Sequence, residues 1–264
     1  MTLLQIVVLA LVQGITEFLP VSSSGHLVLT PILLGWPDQG LALDVAVHVG
    51  TFGAVCVYLW REILMMLRGL ARLVTGRIDE GARLAFVVVV ASLPVIIAGL
   101  LVKLYAGDAL RTPVVIGWAF IGFGIVLYIG DRLGLKIRRI QHMTVSAALY
   151  IGIAQAFALI PGASRAGTTI AMARLLGFER RDAARFSMLL SIPAIAGAGV
   201  LLGRDVIASA DPVLQANVLL AAGLAFAAAL VAIVAMMYWL QRQSYTPFVV
   251  YRIVVGAAIL WLAA

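Results

Sequence analysis

Long apolar stretches without charge alternate with short basic segments along the whole chain. Among the windows that lack any charged residue, four of about 18 residues or more indicate spanning helices. They are 84–102, 113–130, 186–203 and 212–241. A helix of that length crosses the roughly 30 Å of hydrocarbon in a bilayer. The pattern predicts a polytopic helical membrane protein.

Six transmembrane helices are expected from the apolar pattern. Their approximate bounds are 43–60, 84–104, 113–130, 184–203, 214–240 and 246–263. Two further apolar stretches, 2–35 and 143–177, are each broken by a polar turn rich in Gly and Pro. We expect these two stretches to enter the membrane and return without crossing it. The predicted fold class is all-α, with six spans and two re-entrant helix pairs in one integral membrane domain, 1–264.

Composition agrees with a membrane protein and narrows the possible partners. The chain is 63% hydrophobic and 12% charged, whereas soluble domains are about 25% charged. Its net charge of +7 lies mostly in short loops, which indicates topology signals rather than nucleic-acid binding. The single cysteine, Cys56, allows neither a disulfide framework nor a cysteine metal cluster.

Two halves of the chain resemble each other when the sequence is shifted by 142 positions. The aligned positions include Gln13 with Gln155, Ser22 with Ser164, and Gly25 with Gly167. The repeat units would be 1–141 and 142–264, each with one broken pair and three spans. An odd number of crossings places the two units in opposite orientations, which predicts an inverted repeat.

Loop charges predict the orientation independently. Basic residues concentrate in 61–83 and 131–142, so both segments should face the cytoplasm, whereas 103–112 and 204–212 should face outward. Both termini would then lie outside the cytoplasm, with the first broken pair opening outward. The charge-free segment 143–164 could instead span the membrane and move the C-terminus inside. Pro161 and Gly162 favour the re-entrant alternative because they break a helix.

The first polar turn places ionisable and hydroxyl groups at membrane depth. These residues are Gln13, Glu17, Ser22, Ser23, Ser24, Gly25 and His26. A charged group inside a membrane is costly unless it is paired or functional. If the serines begin the second helical arm, its free N–H groups form an anion site.

The second polar turn repeats this arrangement with a cation. It contains Ser164, Arg165, Gly167, Thr168 and Thr169. The guanidinium of Arg165 suits a phosphate group. Because inverted repeats bring their broken helices together at mid-membrane, we expect Glu17, His26 and Arg165 to converge on a phosphorylated ligand.

Structural roles remain open for several of these residues. Each hydroxyl could bond its own helix, Glu17 and Arg165 could form an ion pair that locks the turns, and His26 could be a structural histidine. Asp44 and His48, four residues apart, could support the site, bind a cation, or lie at a solvated helix end. Arg252 is expected to snorkel to the cytoplasmic interface, and His142 to be a plain interfacial residue.

Two motifs resemble those of the undecaprenyl-diphosphate phosphatase family associated with bacitracin resistance. The segment from Gln13 to His26 is similar to the first motif of the family. That motif has a Glu or Gln, three further residues and a Glu, and then Phe-Leu-Pro-Val-Ser-Ser and a Gly-His. From Pro161 to Thr169 the chain is similar to Pro-Gly-X-Ser-Arg-Ser-Gly followed by Thr. The resemblance extends over essentially the whole chain. It implies hydrolysis of undecaprenyl diphosphate to undecaprenyl phosphate and inorganic phosphate, which recycles the lipid carrier of peptidoglycan and other envelope polymers.

The resemblance also implies site roles. Catalysis is assigned to Glu17, Ser23, His26 and Arg165. Substrate binding is assigned to Gln13, Ser22, Ser24, Gly25, Ser164, Gly167, Thr168 and Thr169. A divalent cation, Mg2+ or Ca2+, is expected at Glu17 with Asp44.

Three positions depart from the family pattern. Gln13 leaves Glu17 as the only carboxylate of the first motif, which weakens a two-carboxylate metal site. Ala166 replaces a usual Ser, so that hydroxyl is not essential here. Asp44 and His48 stand where relatives often carry Glu and Gln, so the side chains offered to a cation differ from the family pattern at these two positions.

A mechanism follows as an expectation. Arg165 and the helix-start N–H groups would hold the terminal phosphoryl group, and His26 would activate Ser23 or a water and later protonate the leaving phosphate. The sequence does not choose between these routes. The reaction is expected on the periplasmic or extracellular side of the bacterial cytoplasmic membrane, and the oligomeric state is not indicated.

Two rival functions are weighed against hydrolysis by this family. The phosphatidate-phosphatase superfamily has a Pro-Ser-Gly-His motif resembling Ser23 to His26, but it needs a later histidine and none follows His142. A transporter that flips a polyprenyl phosphate would also use inverted repeats. His26 beside a serine cluster favours the enzyme, because flipping needs no acid–base group.

Overall fold

The computed structural model describes residues 2–105, 110–208 and 212–263. This part of the chain contains eleven α-helices. They are α1 (Leu3–Thr16), α2 (Ser23–Leu34), α3 (Leu41–Tyr58), α4 (Trp60–Leu73), α5 (Glu80–Tyr105), α6 (Pro113–Leu133), α7 (Val145–Ala156), α8 (Arg165–Leu175), α9 (Arg180–Ala208), α10 (Pro212–Trp239) and α11 (Thr246–Leu262). Within these ranges there is no strand, only an isolated bridge between Arg138 and Phe178. The predicted all-α class is confirmed.

In the part of the chain that the structure describes, four helices are long and apolar enough to cross a bilayer. They are α3, α5 over Glu80–Val102, α6 and α10. Their outer faces carry large apolar side chains such as Trp118, Leu219 and Val231, which are 62%, 72% and 71% exposed. Such a surface is stable against lipid tails rather than water. The chain is therefore built as a multi-pass membrane protein.

The helix α4 corrects one expectation, because 61–83 was interpreted only as a basic loop. This segment contains a short amphipathic helix, whose apolar face was difficult to recognise in the sequence because of its arginines. Ile63 and Met66 pack against the main core, while Arg68 and Arg72 are exposed. Gly69 is buried where α4 approaches the start of α5. The two predicted outward loops, 103–112 and 204–212, lie partly outside the described residues.

The two polar turns share one local geometry. Ser22 and Ser164 are the N-caps of α2 and α8, and their φ values are 73° and 72°. Each serine hydroxyl accepts the backbone N–H three residues later, that of Gly25 or Gly167. A positive φ is costly for a residue with a side chain and persists only where the surroundings enforce it. The turns aligned by the sequence shift thus adopt the same strained cap.

Charged residues tie several chain segments together at one end of the helix bundle. The buried Asp131 carboxylate accepts hydrogen bonds from Arg174, from Arg180 and from the backbone N–H of Tyr245. The Tyr245 hydroxyl donates in turn to the Arg180 carbonyl. Three segments that are distant in sequence, those of Asp131, of Arg174 with Arg180, and of Tyr245, therefore meet around one carboxylate.

The segments expected on the cytoplasmic side lie at this same end. Arg139 pairs with Glu179 at 3.2 Å, and Arg185 pairs with Glu62. Arg83 donates to the carbonyl of Met143 at 3.3 Å. The loops that the charge pattern assigns to one side of the membrane are thus in mutual contact.

Candidate active site

Glu17 is the centre of a compact polar cluster between the two turns. It follows α1 directly and is only 8% exposed. Its Oε1 accepts Arg165 Nη2 at 2.7 Å, and its Oε2 accepts Ser23 Oγ at 2.5 Å and Gln13 Nε2 at 2.9 Å. The expected convergence of the two turns is found for Glu17 and Arg165. Gln13 contributes an amide donor where a second carboxylate would repel Glu17.

Besides the ion pair with Glu17, two contacts fix the Arg165 side chain so that it faces a cavity. It is the first residue of α8, and its Nη1 donates to the carbonyl of Ser187 at 3.0 Å. The guanidinium also lies over the ring of Phe18, 6.0 Å from the centroid. Its direction is therefore fixed before any ligand binds.

A cavity of about 370 Å³ opens beside this cluster. Among the described residues, its polar lining consists of Glu17, Ser23, Ser24, Asp44, His48, Ser164 and Arg165. The remainder of the lining is apolar, including Leu41, Val45, Val49 and Ile195. The first residues of α2 and α8 both lie here, so free N–H groups and positive dipole ends of two helices accompany the Arg165 charge. This arrangement suits an anionic group carried on an apolar molecule.

The small residues of the turns serve close packing. A Cβ on Gly25 would collide with the ring of Phe120. A Cβ on Gly167 would lie 3.2 Å from Arg252 Nη1. Ser22 is 1% exposed, and its hydroxyl lies 3.3 Å from that of Ser24. Among these predicted binding residues, only Ser24 lines the cavity.

Thr168 and Thr169 take the structural alternative left open by the sequence. Both hydroxyls donate to the carbonyl of Arg165, at 3.1 and 2.7 Å. The hydroxyls of Thr169 and Ser187 also lie within hydrogen-bonding distance, at 2.7 Å. Neither residue lines the cavity. Their hydroxyls fix the first turn of α8 and thereby the base of Arg165.

His26 does not line the cavity of the cluster that it was expected to join. Its Nδ1 is 2.7 Å from the carbonyl oxygen of Ser22, and its Nε2 is 2.6 Å from the hydroxyl of Tyr251. Because Nδ1 faces a carbonyl it carries the proton, and Nε2 accepts from the tyrosine. With Thr30 and Tyr251, His26 lines a second cavity, of about 560 Å³. Ser23 donates to Glu17 instead.

His48 is the imidazole that faces the cluster. Its Nδ1 is 2.6 Å from the Asp44 carbonyl oxygen, and its Nε2 is 3.9 Å from Glu17 Oε2. The Asp44 carboxylate accepts Gln39 Nε2 at 2.8 Å. Asp44 and His48 thus belong to the cavity wall rather than to a solvated helix end.

The donor set does not form a preformed cation site. Within the described residues, no three His, Cys, Asp or Glu side chains are grouped so that they could hold a metal ion. Both oxygens of Glu17 already accept hydrogen bonds, one of them from a permanent cation. A cation at Glu17 would compete with Arg165 for the same carboxylate.

Arg252 is the residue that sequence interpretation placed wrongly. It does not snorkel to the interface, because it is 0% exposed and all its hydrogen bonds go inward. Its guanidinium donates to five backbone carbonyls, those of Pro20, Ala119, Phe120, Gly162 and Ala163. The available signal was an arginine within an apolar helix, since buried charges in membranes have partners.

Comparison with known proteins agrees with the two motifs. Residues 6–258 match the family described as bacitracin resistance protein BacA. A Rhodospirillum rubrum protein named undecaprenyl-diphosphatase 1 is 52% identical over 271 residues, covering 100% of this chain and 96% of that protein. A Roseobacter denitrificans protein named undecaprenyl-diphosphatase is 50% identical over 262 residues, covering 98% of each chain. The match covers nearly the whole of this chain and of both relatives, so the chain belongs to the bacitracin resistance protein BacA family.

Proposed function

We propose that this protein hydrolyses undecaprenyl diphosphate to undecaprenyl phosphate and inorganic phosphate, the activity for which its relatives are named. The observation that carries the proposal is the cluster of Glu17, Ser23 and Arg165 at two converging helix starts. A diphosphate needs cationic and N–H donors, and it needs a positioned nucleophile. The cavity offers both, beside an apolar part of its lining.

The terminal phosphoryl group would bind against Arg165 and the N–H groups of α2 and α8. Each helix start supplies donors that the cap serine leaves free. Ser24 and Ser164, which line the same wall, would add hydroxyl contacts. The polyprenyl tail would remain in the hydrocarbon beside the apolar lining. The charge that develops on the transferred group is thereby stabilised by donors that are already in place.

Ser23 is the candidate nucleophile, and a water in its place is the direct alternative. In the first route Ser23 Oγ attacks the terminal phosphorus, and its proton passes to Glu17 Oε2. The bond from that phosphorus to the bridging oxygen breaks, and undecaprenyl phosphate leaves with the electron pair. Water then attacks the same phosphorus, the bond from Ser23 Oγ to phosphorus breaks to release inorganic phosphate, and Ser23 Oγ regains its proton from Glu17. In the second route the water attacks the terminal phosphorus while it loses a proton to the same carboxylate, and the same bond to the bridging oxygen breaks.

In this proposal His26 and His48 have roles that differ from those implied by the motif. Glu17 accepts the proton, because it contacts the Ser23 hydroxyl directly. His48 Nε2 lies 3.9 Å from the same carboxylate oxygen and lines the cavity. His26 would act through Ser22, whose carbonyl it binds.

A divalent cation, Mg2+ or Ca2+, stays a prediction. Magnesium sites often combine one or two carboxylates with substrate phosphates and waters, so a cation could arrive with the diphosphate near Asp44. It would supply further charge neutralisation. No step of the proposed chemistry depends on it.

Helix lengths support the six-span arrangement with two re-entrant pairs. The arms α1, α2, α7 and α8 have 14, 12, 12 and 11 residues. Each is therefore about 17–21 Å long, which is too short for a hydrocarbon core of about 30 Å. We propose that each pair enters and returns, and that α3, α5, α6, α9, α10 and α11 span the membrane. The inverted units remain 1–141 and 142–264.

The basic end of the bundle would face the cytoplasm of a bacterium, with hydrolysis on the outer side of its inner membrane. A reporter active only outside the cytoplasm, fused after residue 264, is expected to be active. Activity only of a cytoplasmic reporter would overturn this orientation.

The function itself is tested by phosphate release from undecaprenyl diphosphate by the purified protein in detergent. Assays with Mg2+, with Ca2+ and with a chelator show whether a cation is required. We expect multiple turnovers under at least one of these conditions. Binding of the lipid without phosphate release under all three would overturn the proposal and favour lipid transport.

A further inference from the structure

Arg252 is a fully buried cation in the middle of an apolar helix. It lies in α11 and is 0% exposed. Among the described residues it forms no salt bridge, and its partners are backbone carbonyls. Burying a charged side chain without a counter-ion is unfavourable, so its retention calls for a specific role.

The carbonyls bound by Arg252 come from equivalent points of the two polar turns. Nη1 donates to Pro20 at 3.3 Å, and Nη2 donates to Gly162 at 2.8 Å. Each of these residues lies two positions before a cap serine, Ser22 or Ser164. One guanidinium therefore joins the same backbone position of both turns.

The other side of Arg252 is fixed to a spanning helix. Nε donates to the carbonyl of Phe120 and Nη2 to that of Ala119, both at 3.1 Å. The guanidinium also lies over the ring of Phe120, 5.5 Å from its centroid. Arg252 thus fixes both turns to helix α6.

The two turns that Arg252 joins are also the two turns with a strained backbone. Ser22 and Ser164 are the only residues other than glycine with positive φ in the described part of the chain. Their caps aim the starts of α2 and α8, and hence Ser23 and Arg165, into the cavity. A strained backbone persists only when surrounding contacts hold it, and the Arg252 fork provides such contacts for both turns.

We propose that Arg252 is a positioning residue that holds the two cap serines in register, so that Ser23 and Arg165 face one phosphoryl group. This inference rests on the proposed phosphatase function. Arg252 does not line the cavity, and it acts through the turns.

The experiment compares Arg252→Lys with Arg174→Lys. Arg174 is an equally buried arginine, 0% exposed, that also donates to backbone carbonyls, but it does so at the Asp131 end of the bundle. Lysine keeps the charge in both variants and loses the planar fork. The measurements are kcat and KM for phosphate release and the thermal unfolding midpoint in detergent.

We expect Arg252→Lys to lower kcat by about tenfold or more, with KM within about threefold and a midpoint no lower than that of Arg174→Lys. Arg174→Lys should keep a kcat near that of the wild type. An Arg252→Lys variant with wild-type kcat would overturn the inference. Parallel losses of kcat and midpoint in both variants would also overturn it, since they indicate a general structural role.

A milder variant covers the case in which Arg252→Lys does not fold. A Cβ on Gly124 would lie 3.2 Å from the Cβ of Arg252, whereas one on Gly122 would meet nothing within 4 Å. Gly124→Ala should therefore displace Arg252 and lower kcat, while Gly122→Ala should not. Equal kcat values for these two variants would count against the inference.

A readout independent of turnover separates this inference from the proposed function. Ser23→Cys, in a Cys56→Ala background, reports the position of the first turn by its rate of labelling with a water-soluble maleimide. We expect Arg252→Lys to change this rate by about fivefold or more and Arg174→Lys to leave it unchanged. An unchanged rate in both overturns the inference, whether or not the wild type releases phosphate.

Discussion

Glu17 Oε1 and Arg165 Nη2 lie 2.7 Å apart although 148 residues separate them in sequence. Each comes from a turn that interrupts an apolar helix pair, and neither would be stable alone at that depth. The same carboxylate holds the hydroxyl of Ser23 through its second oxygen. The ion pair therefore joins the two halves of the chain and also positions the candidate nucleophile.

Ser23 tests the covalent route. If a phosphoserine forms, Ser23→Ala should lower kcat by about a hundredfold or more, because the nucleophile is lost. Acid quenching of the wild type with substrate labelled in the terminal phosphate should then trap label on Ser23. The control is Ser92→Ala, whose hydroxyl donates to the carbonyl of Val88 in its own helix. Turnover near that of the wild type in Ser23→Ala would exclude the covalent route and leave direct attack by water.

His26 distinguishes a positioning imidazole from one that transfers protons. An Asn side chain can replace the Nδ1–H donor to the Ser22 carbonyl, whereas Ala cannot. We expect His26→Asn to retain kcat within about tenfold and His26→Ala to lose considerably more. Steady-state phosphate release measures both. Equal losses of a hundredfold or more in the two variants would restore the proton-transfer role implied by the motif.

The buried carboxylate of Asp131 should contribute to stability rather than to chemistry. Asp131→Asn leaves Arg174 and Arg180 without their counter-ion, and such losses cost about 3–5 kcal/mol. We expect a lower thermal midpoint in detergent and unchanged turnover per folded molecule. Glu179→Gln, which breaks the exposed pair with Arg139, should have a much smaller effect. Equal midpoints for the two variants would contradict this role of Asp131.

Close packing of α3 on α10 depends on Gly50. An added Cβ would collide with the backbone of Ala222, whose Cα would be 3.0 Å away. Gly50→Ala should therefore destabilise the protein by about 1–3 kcal/mol. Gly223→Ala is the matched control, because its Cβ would meet nothing within 4 Å. A midpoint in Gly50→Ala as high as that of the control would show that the two helices can separate at low cost.

Much of the architecture could be predicted from the chain because hydrophobicity and charge act locally. The helix α6 was expected at 113–130 and is observed at Pro113–Leu133. The contact between Glu17 and Arg165 was also predictable, because two opposite charges buried at similar depth in a membrane are stabilised by pairing. The helix α4 was not found, because three arginines within 14 residues masked its apolar face.

The direction of side chains around the turns could not be predicted. His26 and Ser23 lie three residues apart on α2, yet one bonds Tyr251 and the other bonds Glu17. The rotation of the helix start decides this, and Ser22 sets that rotation by its positive φ. Arg252 was misplaced for a related reason. Its acceptors are backbone carbonyls of segments about 90 to 230 residues away, and a carbonyl has no sequence signature.

The most direct test of the central claim is kcat/KM for phosphate release by Arg165→Ala beside Arg139→Ala. Arg165 faces the cavity and holds Glu17, whereas Arg139 forms an exposed pair with Glu179. We predict a loss of a hundredfold or more for Arg165→Ala, on the order of 3 kcal/mol, and turnover near that of the wild type for Arg139→Ala. A folded Arg165→Ala protein that works within threefold of the wild type would contradict the placement of the phosphoryl group in this cavity.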